Sequence, residues 1–188
     1  MPKNYPSHEE IEQVHQQLLE MRLDRWLNHD MFSFQWFLLL IVLIVPWIIW
    51  WRFVDEKRIY PILLFGSLLT ILVMMMDDIG VELQLWSYPY QLVTILPRLI
   101  SIDQGIIVIA HMLLYQYFKK WKKFIIANAV MAAIFTLICE PVTVWLGIYK
   151  LDNWRYIYSF PIYIIKAVFI KWLVDEVIER KKIAIKQS

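Results

Sequence analysis

The stretch FSFQWFLLLIVLIVPWIIWWRFV, residues 32–54, carries a single charge, Arg52, close to its end. At 1.5 Å of rise per residue, a helix of this length covers the roughly 30 Å hydrocarbon core of a bilayer. Four more stretches read the same way, at about residues 59–76, 99–118, 124–146 and 154–174. The 188-residue chain is 60% hydrophobic and 16% aromatic, with a mean hydropathy of +0.50. An ordinary soluble domain reaches only about 45–50% apolar with glycine included. The excess excludes disorder, and it is too large for one small core to bury, which argues against a soluble globular domain and for lipid solvating the remainder. The expected class is all-α: a polytopic membrane protein with five transmembrane helices and the bilayer as its first partner. The start, MPKNYPSHEEIEQVHQQ, has no apolar run and no small-residue cleavage site, so no cleavable signal peptide is expected there.

Five spans place the termini on opposite faces, and the basic residues sort accordingly. One side collects Arg52, Lys57 and Arg58, then Lys119, Lys120, Lys122 and Lys123, then Lys171, Arg180, Lys181, Lys182 and Lys186. The other side receives only Lys3, Arg22, Arg25, Arg98, Lys150 and Arg155. The positive-inside rule puts the N-terminus outside and residues 175–188 in the cytoplasm as a basic tail. A sixth crossing by LQLWSYPYQLVTILPRLI, residues 83–100, would scatter that bias, and Pro89 and Pro97 would interrupt its helix. Residues 83–98 therefore read as an interfacial or re-entrant outer segment, with Trp86, Tyr88 and Tyr90 at headgroup depth. Trp47, Trp50 and Trp51 read as a similar belt at the inner end of the first span. Residues 1–31 read as an outer amphipathic helix: Ser7 and Glu10 form a capping box, and Ile11, Val14, Leu18 and Met21 form one apolar stripe. Such a stripe suits the membrane, the protein's own loops, a protein partner or a second copy of the chain.

The segments PWIIWW (46–51) and VDEKR, then DDIG, YQYFKKWKKF, EPVTVWLGIY and YSFPIY, together resemble a family of small integral membrane proteins of endospore-forming Firmicutes, the bacilli and clostridia. The resemblance covers most of the chain. It implies a bacterial cytoplasmic membrane and carries over no activity and no site residue.

An ionisable side chain at mid-membrane costs at least about 2.5 kcal/mol and so usually faces a protein interior or a wet cavity. Polar residues recur on one helical face in four spans: Ser67, Thr70, Asp77 and Asp78; Gln104, His111 and Tyr115; Asn128, Thr136, Glu140 and Thr143; Ser159, Tyr163 and Lys166. With Glu82 and Asp103, the acids form an outer layer. Asp78, Glu82 and Asp103 are candidate oxygen ligands for a divalent cation such as Mg²⁺ or Ca²⁺, and no other cofactor is expected. Glu140, Asp77 and Asp78 are candidate acid/base groups. His111, Lys166, Tyr163 and Arg98 are candidate ligand-binding residues, and Glu140, His111 and Lys166 also suit an ion path. Alternatively the acids pair with Arg98 and Arg155 and hold helix ends together. The basic inner clusters attract anionic lipid headgroups, and topology accounts for them without nucleic acid. Cys139, the single cysteine, reads as a small buried apolar residue. The leading expectation is a non-enzymatic structural or interaction protein. The alternative is a membrane enzyme or a lipid- or ion-binding protein that uses the outer acidic pocket.

Overall fold

The computed structural model describes residues 5–96 and 99–187. Helix α1 runs His8–Arg25 and continues as a π-helical turn, Trp26–Asp30. The capping box at its start forms: Glu10 N–H donates to Ser7 Oγ at 3.1 Å, and Ser7 N–H donates to Glu10 Oε2 at 2.7 Å. Ile11, Val14, Leu18 and Met21 of the apolar stripe are all exposed. Helix α2, Phe34–Phe53, is capped by Ser33, whose Oγ accepts from Trp36 N–H at 3.2 Å. Helix α3 is Ile59–Glu82. A π-helical stretch, Ser101–Ile107, leads directly into α4, Val108–Tyr117. Helix α5, Trp121–Ile134, passes through a second such stretch, Phe135–Cys139, into α6, Glu140–Trp145. Helix α7, Tyr156–Gln187, is the longest, so the expected basic tail continues the last helix.

Among the described residues, four helical runs are long and apolar enough to cross a membrane: Phe34–Phe53, Glu56–Glu82, Trp121–Trp145 and Tyr156–Lys181. The fifth expected stretch is also helical through residues 101–117, but it is less apolar because it lies inside the bundle. Its buried positions include Asp103, His111 and Gln116 beside Ile107, Val108, Met112 and Tyr115. A helix shielded by protein does not need a lipophilic surface on every side. Gly105 permits a close approach of its backbone to α2. A Cβ there would collide with the Val42 carbonyl oxygen of α2, so only glycine allows the two backbones this contact.

The main core joins α3, α4, α5 and α7 through Phe65, Leu69, Met112, Tyr115, Phe124 and Ile170. Phe65 stacks on Tyr115 with centroids 4.6 Å apart and planes 8° from parallel. At the end of the bundle where α2 meets α3, Gln116 clamps the connection: its Nε2 donates to Phe53 O at 2.8 Å, and Asp55 N–H donates to its Oε1 at 3.1 Å. Buried Lys171 pairs with Asp175 at 2.7 Å and lies over the rings of Tyr115, Trp121 and Phe124. Trp50 is buried in the core rather than standing in an interfacial belt, while Trp51 is exposed.

The opposite end is closed by a cap. Residues 83–96 form no helix; β1, Trp86–Ser87, pairs antiparallel with β2, Lys150–Leu151, with Trp86 opposite Leu151. Asp152 and Asn153 N–H both donate to Leu85 O, and Ser87 Oγ donates to Asp152 Oδ2 at 2.7 Å. Tryptophans satisfy other cap carbonyls: Trp26 Nε1 donates to Gln91 O at 3.2 Å and Trp36 Nε1 to Leu92 O at 3.1 Å. Non-helical backbone with buried carbonyls requires such partners.

Candidate functional site

A cavity of about 180 Å³ lies directly beneath the cap. Its side walls are the last turns of α3, the stretch Ser101–Ile107, the junction of α5 and α6, and the first half of α7. Val73, Ile102, Ile106, Ile107 and Phe135 supply an apolar lining. Asp77, Asp103, Glu140, Tyr163 and Lys166 supply the charged and polar one. Six of the residues expected from helical spacing, Asp77, Glu140, Thr143, Ser159, Tyr163 and Lys166, are therefore brought together in one place, with Asp103 beside them.

Glu140 is held as a hydrogen-bond acceptor. Ser159 Oγ lies 3.1 Å from its Oε2 and Tyr163 Oη lies 3.0 Å from its Oε1, each donating to the carboxylate. Trp154 Nε1 donates to Ser159 Oγ at 3.0 Å, which makes a chain from the cap to the carboxylate. Two helical spacings produce this arrangement, because Ser159 and Tyr163 are one turn apart on α7 and face the first turn of α6. Glu140 follows the π-helical stretch, and Pro141, which lacks an N–H, sits next in the chain. Asp77 is also fixed by neutral donors: Trp86 Nε1 donates to its Oδ1 at 2.9 Å, and Tyr88 Oη makes a short hydrogen bond to the same oxygen. Gly80 makes room for the indole, since a Cβ there would overlap the Trp86 ring.

Lys166 is 7% exposed and Glu140 8%. The Lys166 ammonium lies 4.3 Å above the centre of the Tyr163 ring, a cation–π contact. The same phenol therefore bonds the carboxylate through its hydroxyl and the ammonium through its face. Among the described residues neither Glu140 nor Lys166 forms an ion pair. Arg155, an expected counter-ion, is exposed and pairs with no acid of the cavity.

The remaining candidates lie elsewhere. Asp78 is half-buried and Glu82 exposed, and neither lines the cavity. Among the described residues no three His, Cys, Asp or Glu side chains converge to hold one metal ion. His111 is fully buried in α4 outside the cavity wall, its Nδ1 2.7 Å from Ile107 O. Arg98 lies outside the described residues.

The cap contributes four aromatic residues to the roof, Trp86, Tyr88, Tyr149 and Trp154. Trp86 and Tyr88 turn inward to Asp77, where headgroup depth was expected; Tyr149 and Trp154 had no such signal in the sequence. Tyr88 stacks with Tyr149 at 5.7 Å and Trp86 meets Trp154 edge-on at 5.2 Å. Burial pushes both phenols up from their ordinary range, reinforced chiefly by Asp77 for Tyr88 and by Glu140 for Tyr149. Both remain neutral donors at physiological pH. At the exposed edge of the cap, the hydrogen bonds from Lys150 and then Ser87 hold the Asp152 carboxyl below the usual range.

Oriented carboxylates, a buried ammonium, aromatic faces and an apolar lining together suit a small molecule with a polar head and an apolar body. The chain matches no family model, no curated protein and no solved structure, so the site is read from its own geometry.

Proposed function

We propose that this is a five-span protein of the bacterial cytoplasmic membrane, N-terminus outside, that binds a small amphipathic molecule in the cavity beneath its outer cap. The fifth span is residues 101–117, whose polar positions are solvated by neighbouring helices. Support for the orientation comes from the end opposite the cap, where the connections at 54–58 and 118–120 gather Lys57, Arg58, Lys119 and Lys120. The family resemblance supports the membrane assignment.

The observation that carries the binding reading is Glu140. Four readings compete for the acids, and internal pairing with arginine is the simplest. Glu140 instead accepts from two neutral hydroxyls and faces a cavity with aromatic and apolar walls. A carboxylate held this way is pre-organised to meet a polar group that enters. A purely structural acid needs no cavity beside it.

Thermal unfolding tests the reading. Stripped of lipid in detergent, the wild type should gain several degrees of Tm from a lipid extract of a bacillus membrane, as a ligand that binds only the folded state requires. Ile162→Trp, which fills the cavity from α7, should fold and gain nothing. Equal gains in both proteins would refute binding at this site.

A further inference from the structure

Helix α1 carries an apolar face that the fold leaves open. No residue of α1 is buried, and Ile11, Val14, Leu18 and Met21 are 52%, 64%, 42% and 70% exposed. The side that turns toward the bundle is a different one: Leu23 and Trp26 are half-buried, and Trp26 Nε1 donates to Gln91 O of the cap. At 100° per residue the stripe is centred about 130° around the helix from that side, so the protein's own loops do not cover it. Helices in proteins owe most of their stability to the packing of such a face. The membrane surface is a poor cover for it. Residues 8–25 carry five acids, Glu9, Glu10, Glu12, Glu20 and Asp24, against Arg22 and Arg25, whereas helices that lie on anionic lipid are rich in Lys and Arg.

The flanks of the stripe fit a second copy of the chain. Ile11, Val14, Leu18 and Met21 follow steps of three, four and three, the a and d spacing of a two-stranded coiled coil. The bordering e positions are then His15 and Arg22, and the g positions are Glu10, Gln17 and Asp24. One flank is basic and the other acidic. When two such helices run parallel, each g residue meets the e residue five places later on its neighbour. Glu10 then faces the second copy's His15, and Gln17 faces its Arg22. An antiparallel pair would instead set Glu10 toward Asp24 and bring the two basic flanks together. His15 and Arg22 are exposed and, among the described residues, form no ion pair within the chain.

We infer that α1 is a parallel self-association helix, with the stripe of one chain packed against the same stripe of a second copy. Four side chains and their flanks from each copy make an interface near the lower limit of about 1,000 Å² for a specific contact. Two chains held in one membrane meet at a far higher effective concentration than free ones, which offsets that small area. Chains inserted in one direction are related by a two-fold axis along the membrane normal, and about such an axis equivalent helices standing off the bilayer are parallel. The contact involves no residue of the cavity beneath the cap.

Single cysteines in a Cys139→Ala background, oxidised in the native membrane, test the contact. Val14→Cys and Leu18→Cys should cross-link to dimers, and Gln13→Cys and Gln16→Cys, on the far side of the helix, should not. Förster transfer between donor- and acceptor-labelled Lys181→Cys chains, in vesicles of phosphatidylethanolamine and phosphatidylglycerol, gives the chain density at half-association. Leu18→Glu should raise that density about tenfold or more. Gln17→Glu, which sets a carboxylate against Arg22 of the second copy, should lower it, and Gln17→Lys should raise it. The two Gln17 variants change only an exposed position, so loss of the fold cannot produce opposite shifts. Equal cross-linking at all four positions, or a density that Leu18→Glu leaves unchanged, would overturn the inference. The reverse order of the Gln17 variants would indicate an antiparallel contact and overturn the parallel one. Protection of Leu18→Cys from an impermeant maleimide at every chain dilution would assign the stripe to lipid and remove the second copy.

Discussion

Replacing Gly80 by alanine should open the cap, even though alanine is the better helix former. Gly80 lies in the last turns of α3, where alanine for glycine favours a helix by about 1 kcal/mol. The new Cβ, however, would occupy space held by the Trp86 indole. The indole would have to leave, and its 2.9 Å hydrogen bond to Asp77 would go with it. A hydrogen bond to a charged group contributes about 1.5–3 kcal/mol. The edge-on contact of Trp86 with Trp154 at 5.2 Å contributes about 0.5–1.5 kcal/mol more. The losses exceed the gain, leaving a net destabilisation of about 1–3.5 kcal/mol in the cap. Hydrogen exchange at the paired amides of residues 86–87 and 150–151, read beside Tm in detergent, would report it. The control is Trp86→Ala: with the indole gone, Gly80→Ala should become neutral or stabilising, a sign change in the double-mutant cycle. If Gly80→Ala protects the cap amides as well as wild type does, or costs the same with and without Trp86, then the indole is not seated against Gly80 and the roof of the cavity is wrongly placed.

Phe65→Ala removes a fully buried ring stacked on Tyr115. The expected cost is about 3 kcal/mol, the low end of the range for such truncations, because lipid solvates the ring of a separated helix too; steric-trap unfolding in bilayers would measure it. Asp152 makes the cap sensitive to acid. Its carboxyl is held below the ordinary range, so its contribution is complete above that range and fades as pH falls through the lowered value. The Tm difference between wild type and Asp152→Asn should accordingly be constant near neutrality and shrink in strong acid. In a Cys139→Ala background, Ser87→Cys should react with an impermeant maleimide in intact cells and Lys181→Cys only after lysis; the reverse pattern would invert the orientation.

Helical periodicity made much of the site legible. Ser159, Tyr163 and Lys166 recur at steps of four and three, and Glu140 leads to Thr143 by the same rule, so both faces could be marked before their contact was seen. Adjacency on one helix separates two of the candidate acids. Asp77 and Asp78 are adjacent, and on a helix adjacent residues point about 100° apart. The face containing Val73 and Asp77 turns to the cavity, and Asp78 and Glu82 follow a different face despite their one-turn spacing. The roof was not legible for another reason. Trp86 and Tyr88 have the composition of an interfacial belt, and only a buried acceptor such as Asp77 draws their polar ends inward. Tyr149 and Trp154 reach the cavity through a strand pair of two residues each, too short to leave an alternating pattern. The π-helical stretches that contain Asp103 and precede Glu140 have no period that hydropathy detects. The helix at 101–117 is the converse case: its interior position made it less apolar than its neighbours.

Native mass spectrometry on the protein extracted in mild detergent from its own membrane tests the binding site most directly. The wild type should carry one non-covalent small molecule per chain, whose mass identifies it, and Ile162→Trp should carry none while remaining folded. Wild-type protein released with no bound mass, or the same bound mass in both proteins, would contradict the assignment of the cavity as the ligand site.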